Sequence, residues 1–172
     1  WEGGLSFHGG LIGVIVSLYV YSYQHKISFL RLADSICVAM PIGLGMVRIG
    51  NFLNGELYGR PTDGTWGFIF PTDPYGYTRH PSQLYEAFFE GLFLFILLRF
   101  IASKNNKHGV ISGSFLLAYG LIRFFIEYFR QPDSHMGFVA LQLSMGQLLS
   151  IPMVIIGLIL LRKSLRRNEA IS

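Results

Sequence analysis

The chain has 172 residues, of which 51% are hydrophobic and only 14% charged, with a formal net charge of +4; the apolar excess lies in long uninterrupted blocks, which points to lipid as the surrounding solvent. So apolar a composition excludes intrinsic disorder, and a lone cysteine, Cys37, excludes a disulfide scaffold and a cysteine-built zinc site. The basic residues are scattered between the apolar blocks, a mark of membrane topology and not of nucleic-acid binding.

The chain opens mid-pattern at Trp1, with neither a charged n-region nor a small-residue cleavage site. Upstream residues are therefore expected to complete its sites. A helical span needs about 20 mostly apolar residues, and five are expected, over 9–23, 32–53, 82–102, 110–129 and 141–161. The expected fold is an all-α polytopic membrane protein forming a single membrane domain over 1–172, with a small cap on the outer face.

In chain order, the stretch Gly3-Gly4-Leu5-Ser6-Phe7-His8-Gly9-Gly10 comes first. It places His8 at the mouth of the first span. An imidazole with a pKa near 6.5 can take a proton at neutral pH. Glycine pairs on both sides suit close approach of another group; the plainer alternative is an interfacial histidine bonded to a backbone carbonyl.

The second span holds Pro41, Arg48 and Asn51. On a helix Arg48, Asn51 and Gly55 share one face, and Gly43, Gly45, Gly50, Gly55 and Gly59 remove bulk nearby. A guanidinium beside small residues offers a fork of donors to two phosphate oxygens. The alternative is an arginine snorkelling to the interface with glycines for helix packing. Glu56 lies close by in sequence.

Residues 54–81 are too long for a simple turn. Four prolines, Asp63-Gly64 and the apolar run Trp66-Gly67-Phe68-Ile69-Phe70 suggest an ordered cap with room for a short hairpin. His80-Pro81-Ser82 then opens the third span, where Gln83, Glu86 and Glu90 form a polar stripe explained equally well by capping and packing. In the fourth span Tyr119, Arg123 and Glu127 recur every four residues, so they line one face. Arg123 and Glu127 can pair, which lowers the cost of burying either. That pair is either a structural lock between helices or a means of aiming Arg123 at an anion.

The links 24–31 and 103–108 and the tail 162–167 are basic, and five spans put all three on one side. The positive-inside rule makes that side cytoplasmic, with the C-terminus there too. The loops 54–81 and 130–140 then lie outside. His8, Arg48, Glu56, His80 and Glu127 converge towards the outer leaflet, Arg123 and Tyr119 one and two turns deeper. An ionisable group in a span is costly enough to ask for a function. These groups suit an anionic amphiphile whose head is held by arginines and whose tails stay in lipid. No metal-ligand set is evident.

At these residues the sequence resembles the bacterial prolipoprotein diacylglyceryl transferases. The signature-like stretch is Arg48-Ile49-Gly50-Asn51-Phe52-Leu53-Asn54-Gly55-Glu56-Leu57-Tyr58-Gly59-Arg60. Ser6 to Gly10, His80 to Glu86 and Tyr119 to Glu127 match the other motifs in order. Val47 departs from the small residue usual before the arginine. The resemblance implies seven spans, of which this chain would lack the first two, and a monomer in the inner membrane. It implies transfer of diacylglyceryl from phosphatidylglycerol to the lipobox cysteine of a preprolipoprotein, releasing glycerol phosphate. Arg48, Asn51, Glu56, Gly59 and Arg123 would bind phosphatidylglycerol, and His8, Tyr119, Arg123 and Glu127 would carry the chemistry, with no cofactor and no metal. A lipid or anion transporter, or a membrane scaffold, is the competing class; transporters also place buried arginines at broken helices.

Overall fold

The computed structural model describes residues 7–131, 138–140 and 143–166. The helices are α1 (Phe7–His25), α2 (Phe29–Leu53), α3 (Ser82–Glu86), α4 (Leu94–Lys104), α5 (Val110–Ile126) and α6 (Met145–Arg166). Between α3 and α4 a π-helical segment, Ala87–Phe93, continues the same rod, since helical backbone angles run unbroken through both junctions. Phe29–Leu53 and Met145–Arg166 are long and apolar enough to cross a membrane, and Val110–Ile126 is apolar but shorter.

The distribution of side chains is the reverse of a water-soluble bundle. Val16, Met46, Phe100, Phe125 and Ile156 are exposed, whereas Asp34, Glu86, Glu90, Ser112 and Ser150 are buried. Apolar surface turned outward suits hydrocarbon surroundings, and polar groups must then face the bundle interior. A small apolar core of Leu94, Leu98 and Phe115 sits between α4 and α5, with Leu44 of α2 and Ile122 against it.

Without a hydrophobic drive between helices in lipid, close backbone approach through small residues holds them together. At the α5–α6 seam a Cβ on Gly157 would lie 2.5 Å from the Leu117 nitrogen. At the crossing of α2 with the π segment, a Cβ on Gly91 would lie 2.8 Å from Gly45 Cα. The opposite end of the bundle is fixed by Asp34 of α2, whose carboxylate accepts from the Gly109 and Ser112 N–H groups at 2.6 and 2.7 Å. It thereby caps the start of α5 from another helix.

The cap holds the short hairpin that its composition suggested, and a further ribbon departs from the all-α expectation. A ribbon of β1 (Phe68–Ile69) and β2 (Thr78–Arg79) lies in the cap, antiparallel, with Phe68 opposite Arg79. A second ribbon, β3 (Phe138–Ala140) with β4 (Leu143–Ser144), precedes α6, which starts at Met145 and not at 141. Pairing with β3 claims residues that composition alone assigned to the last span. Helix α5 also stops earlier than expected, with Glu127 as its C-cap.

An ion pair between Asp73 and Arg79 braces the cap. Arg79 Nε and Nη2 reach the two Asp73 oxygens at 2.7 and 3.0 Å, and the Tyr75 and Tyr77 N–H groups donate to the same carboxylate. The Arg79 side chain, chiefly by its hydrogen bonds, holds the Asp73 carboxyl below its usual range. The Arg79 guanidinium also lies over the Tyr58 ring, 4.7 Å from its centroid.

Candidate functional site

Four segments meet at the cap end of the bundle. Arg48 comes from the last turns of α2, Glu86 from α3, Glu90 from the π segment and Arg123 from the end of α5. Glu86 is fully buried and is the hub. Its Oε2 accepts from Arg48 Nε at 2.6 Å and from Arg123 Nη1 at 3.1 Å. Arg123 Nη1 also lies 3.5 Å from Glu90 Oε1, and its Nη2 lies 2.9 Å from Glu127 Oε2. Ser144 Oγ donates to Glu127 Oε1 at 3.0 Å, so the residue just before α6 secures the far side.

The two arginines expected to act together are thus joined through one carboxylate. Their orientation is fixed from opposite sides, which removes rotamer freedom that binding would otherwise have to overcome. Arg48 Nη1 is 3.5 Å from Asn51 Oδ1, in keeping with the shared helix face. Among the described residues, Glu86 Oε1 and Glu90 Oε2 have no hydrogen-bond partner although both are buried. Unpaired buried oxygens are costly, and they lie beside guanidiniums with donors to spare.

The other expected residues fall into two groups. Tyr119 lies one turn below Arg123, with its ring stacked on Phe115 at 5.5 Å. The position of His8 falls in the first turn of α1. Helices α1 and α2 are joined by a short link, so that turn lies at the same end as Arg48; the His8 side chain is outside the described residues, as are Trp1 to Ser6.

Glu56, Gly59 and His80 build the seam between cap and bundle. The Glu56 side chain is exposed and its backbone carbonyl accepts from Gln83 Nε2 at 2.6 Å. Gly59 is wedged between backbones: its N–H donates to the His80 carbonyl at 2.9 Å, and a Cβ there would lie 2.5 Å from the Phe129 oxygen. His80 lies 3.3 Å from the Tyr85 hydroxyl through Nδ1 and packs its ring edge-on to Phe129. The nearby glycines also divide. Gly45 serves helix contact, while Gly43 and Gly50 have nothing within 4 Å of a built Cβ.

Sequence reasoning undervalued Glu86 and Glu90. Their signal was the stripe with Gln83, which spacing alone could not separate from capping.

A buried arginine–carboxylate cluster inside helices that turn apolar surface outward suits a helical membrane protein with a polar site in its interior. The chain belongs to the prolipoprotein diacylglyceryl transferase family, whose sequence pattern matches residues 1–162. It is 51% identical over 161 residues to the phosphatidylglycerol–prolipoprotein diacylglyceryl transferase of Photobacterium profundum, covering 94% of this chain and 60% of that protein. The same-named protein of Geobacter sulfurreducens is 53% identical over 158 residues, covering 92% of this chain and 60% of the relative. That of Rickettsia bellii is 52% identical over 167 residues, covering 95% and 63%. The chain therefore spans about 60% of the length of these curated relatives.

Proposed function

We propose that this chain carries the phosphate-gripping part of an enzyme that moves diacylglyceryl from phosphatidylglycerol to the lipobox cysteine of a preprolipoprotein. The observation that carries the reading is Glu86 Oε2, which draws Arg48 and Arg123 together from two different helices. Family membership supplies the substrate class, since the relatives' names state it.

In this reading the acceptor thiol loses its proton and the thiolate sulfur attacks the glycerol carbon that bears the phosphate. The carbon–oxygen bond breaks, and glycerol phosphate departs with the bonding electrons. A free thiol has a pKa near 8.5, so a base raises the thiolate fraction. His8, helped by Tyr119, fills that role. Negative charge grows on the leaving phosphate, where Arg48 and Arg123 lower the barrier. Asn51 orients Arg48, while Glu86, Glu90 and Glu127 hold Arg123. Glu56 and Gly59 set the cap over the headgroup. No metal or cofactor takes part.

The topology belongs to the same proposal. Five stretches cross the bacterial inner membrane in one domain, the cap lies on the periplasmic side, the C-terminus is cytoplasmic and the enzyme is a monomer.

The test is phosphatidylglycerol-dependent modification of a lipobox peptide, with release of glycerol phosphate measured beside it. Losing one preorganised donor to a developing oxyanion costs about 10²–10³ in kcat. Arg48→Ala and Arg123→Ala in the full-length protein are each expected to fall at least a hundredfold. Wild-type rates in both refute the grip, and binding without glycerol phosphate release points to a carrier.

A further inference from the structure

At the end of the bundle away from Glu86, the start of α2, the end of α4 and the link into α5 enclose an open cleft of about 610 Å³. Asp34 and Arg48 are separated along α2 by about 21 Å of helix rise, so this cleft is distinct from the arginine cluster. Arg31, Arg99 and Lys107 line it, each from a different segment, with Asn105 and His108 adding polar edges. Asp34 is the only carboxylate among the lining residues. Its oxygens are engaged by Gly109 N–H, Ser112 N–H and Ser112 Oγ, at 2.6, 2.7 and 2.5 Å.

Arg31 and Arg99 form no ion pair among the described residues. Lys107 reaches across to the Leu165 carbonyl at 2.6 Å, which holds its ammonium at the cleft wall. The walls are firm because the Asp34 cap and Gly109, at φ +89°, fix the turn into α5. Two guanidiniums without a carboxylate partner among the described residues and one anchored ammonium outnumber the single Asp34 carboxylate, which leaves a net positive site.

We propose that this cleft is a second binding site that takes a phosphate-bearing anion. Forked guanidiniums match phosphate oxygens, and the ammonium adds a point charge. The cleft lies level with the ends of the apolar helices, so a phospholipid headgroup is one source of that phosphate and a soluble phosphate the other. A zwitterionic headgroup brings its own cation and competes poorly. The site goes beyond the transfer reaction and uses none of its residues.

Native mass spectrometry of the purified full-length protein in neutral detergent tests this by counting bound lipids. Phosphatidylglycerol, phosphatidylcholine and inorganic phosphate are titrated separately and in competition. Each surface cation contributes about a fivefold factor to anionic lipid binding, so Arg31→Gln with Arg99→Gln is expected to weaken one phosphatidylglycerol site about thirtyfold. The exposed Lys104 and Lys163 do not line the cleft, and Lys104→Gln with Lys163→Gln is expected to leave that site unchanged. Displacement of the bound lipid by millimolar phosphate assigns the site to soluble anions; resistance assigns it to lipid. If the double variant is unstable, Arg31→Gln and Arg99→Gln singly should each weaken binding about fivefold. Equal affinity in wild type and cleft variants overturns the proposal, and so does an equal loss in the lysine control.

Discussion

Glu86→Gln is the most informative single change, because it removes charge while keeping shape. In the wild type Arg48 Nε has one carboxylate partner, Glu86 Oε2 at 2.6 Å, with Asn51 Oδ1 left at 3.5 Å from Nη1. Arg123 has three, and after the change it keeps Glu90 at 3.5 Å and Glu127 at 2.9 Å. The loss therefore falls on Arg48. Removing one partner of a buried ion pair costs about 3–5 kcal/mol, and the retained amide oxygen places Glu86→Gln at the lower end, about 3 kcal/mol. For a chain of about this size each kcal/mol moves Tm by about 2–4 °C, so a fall of about 6–12 °C is expected. Cys37 is the only cysteine of this chain and is half-buried against the core, so a thiol-reactive fluorophore reports the melt. Glu127→Gln is the internal control: Arg123 then keeps two carboxylates, and about 1 kcal/mol, or about 2–4 °C, is expected. A Glu86→Gln protein that melts no lower than Glu127→Gln would falsify the assignment of Glu86 as hub.

Gly59→Ala puts a Cβ 2.5 Å from the Phe129 oxygen and 2.6 Å from the His80 oxygen, both backbone atoms, so a loss of about 1–3 kcal/mol is expected. Faster proteolysis within 54–81 should accompany the lower melting temperature. Gly50→Ala meets nothing within 4 Å, and since alanine is the better helix former by up to about 1 kcal/mol, an equal or higher melting temperature is expected. The cap should also respond to acid. Arg79 lowers the Asp73 carboxyl from its ordinary 3.8, so the ionised form is favoured by folding. Its stabilisation is complete above about pH 4 and is lost as pH falls through the lower folded value. Amide exchange in the cap should be steady from pH 7 to 5 after correction for intrinsic rates, and should rise below pH 4. Asp73→Asn should exchange faster throughout and show no such step.

Much of the site was legible because helical spacing is local. Arg48 with Asn51, and Arg123 with Glu127, follow from three- and four-residue intervals, and both contacts occur in the fold. The cap hairpin was legible in its prolines, its Asp-Gly pair and its apolar run. The partner of each face was not. Glu86 lies 37 residues from Arg123, and no periodicity says how two helices are rotated about their axes. The same gap hid the surroundings of Glu56, which lies within the signature stretch at an exposed position.

The sequence by itself determined where helices form and what surrounds them. Apolar blocks in lipid must satisfy their backbone internally, and that demand is met residue by residue along the chain. Only the tertiary structure decided which charges meet and which glycines touch. Gly45 presses on Gly91 while Gly43, two residues earlier, faces open space. Packing between helices fixes their rotation, and rotation decides whether a buried carboxylate finds one guanidinium or two.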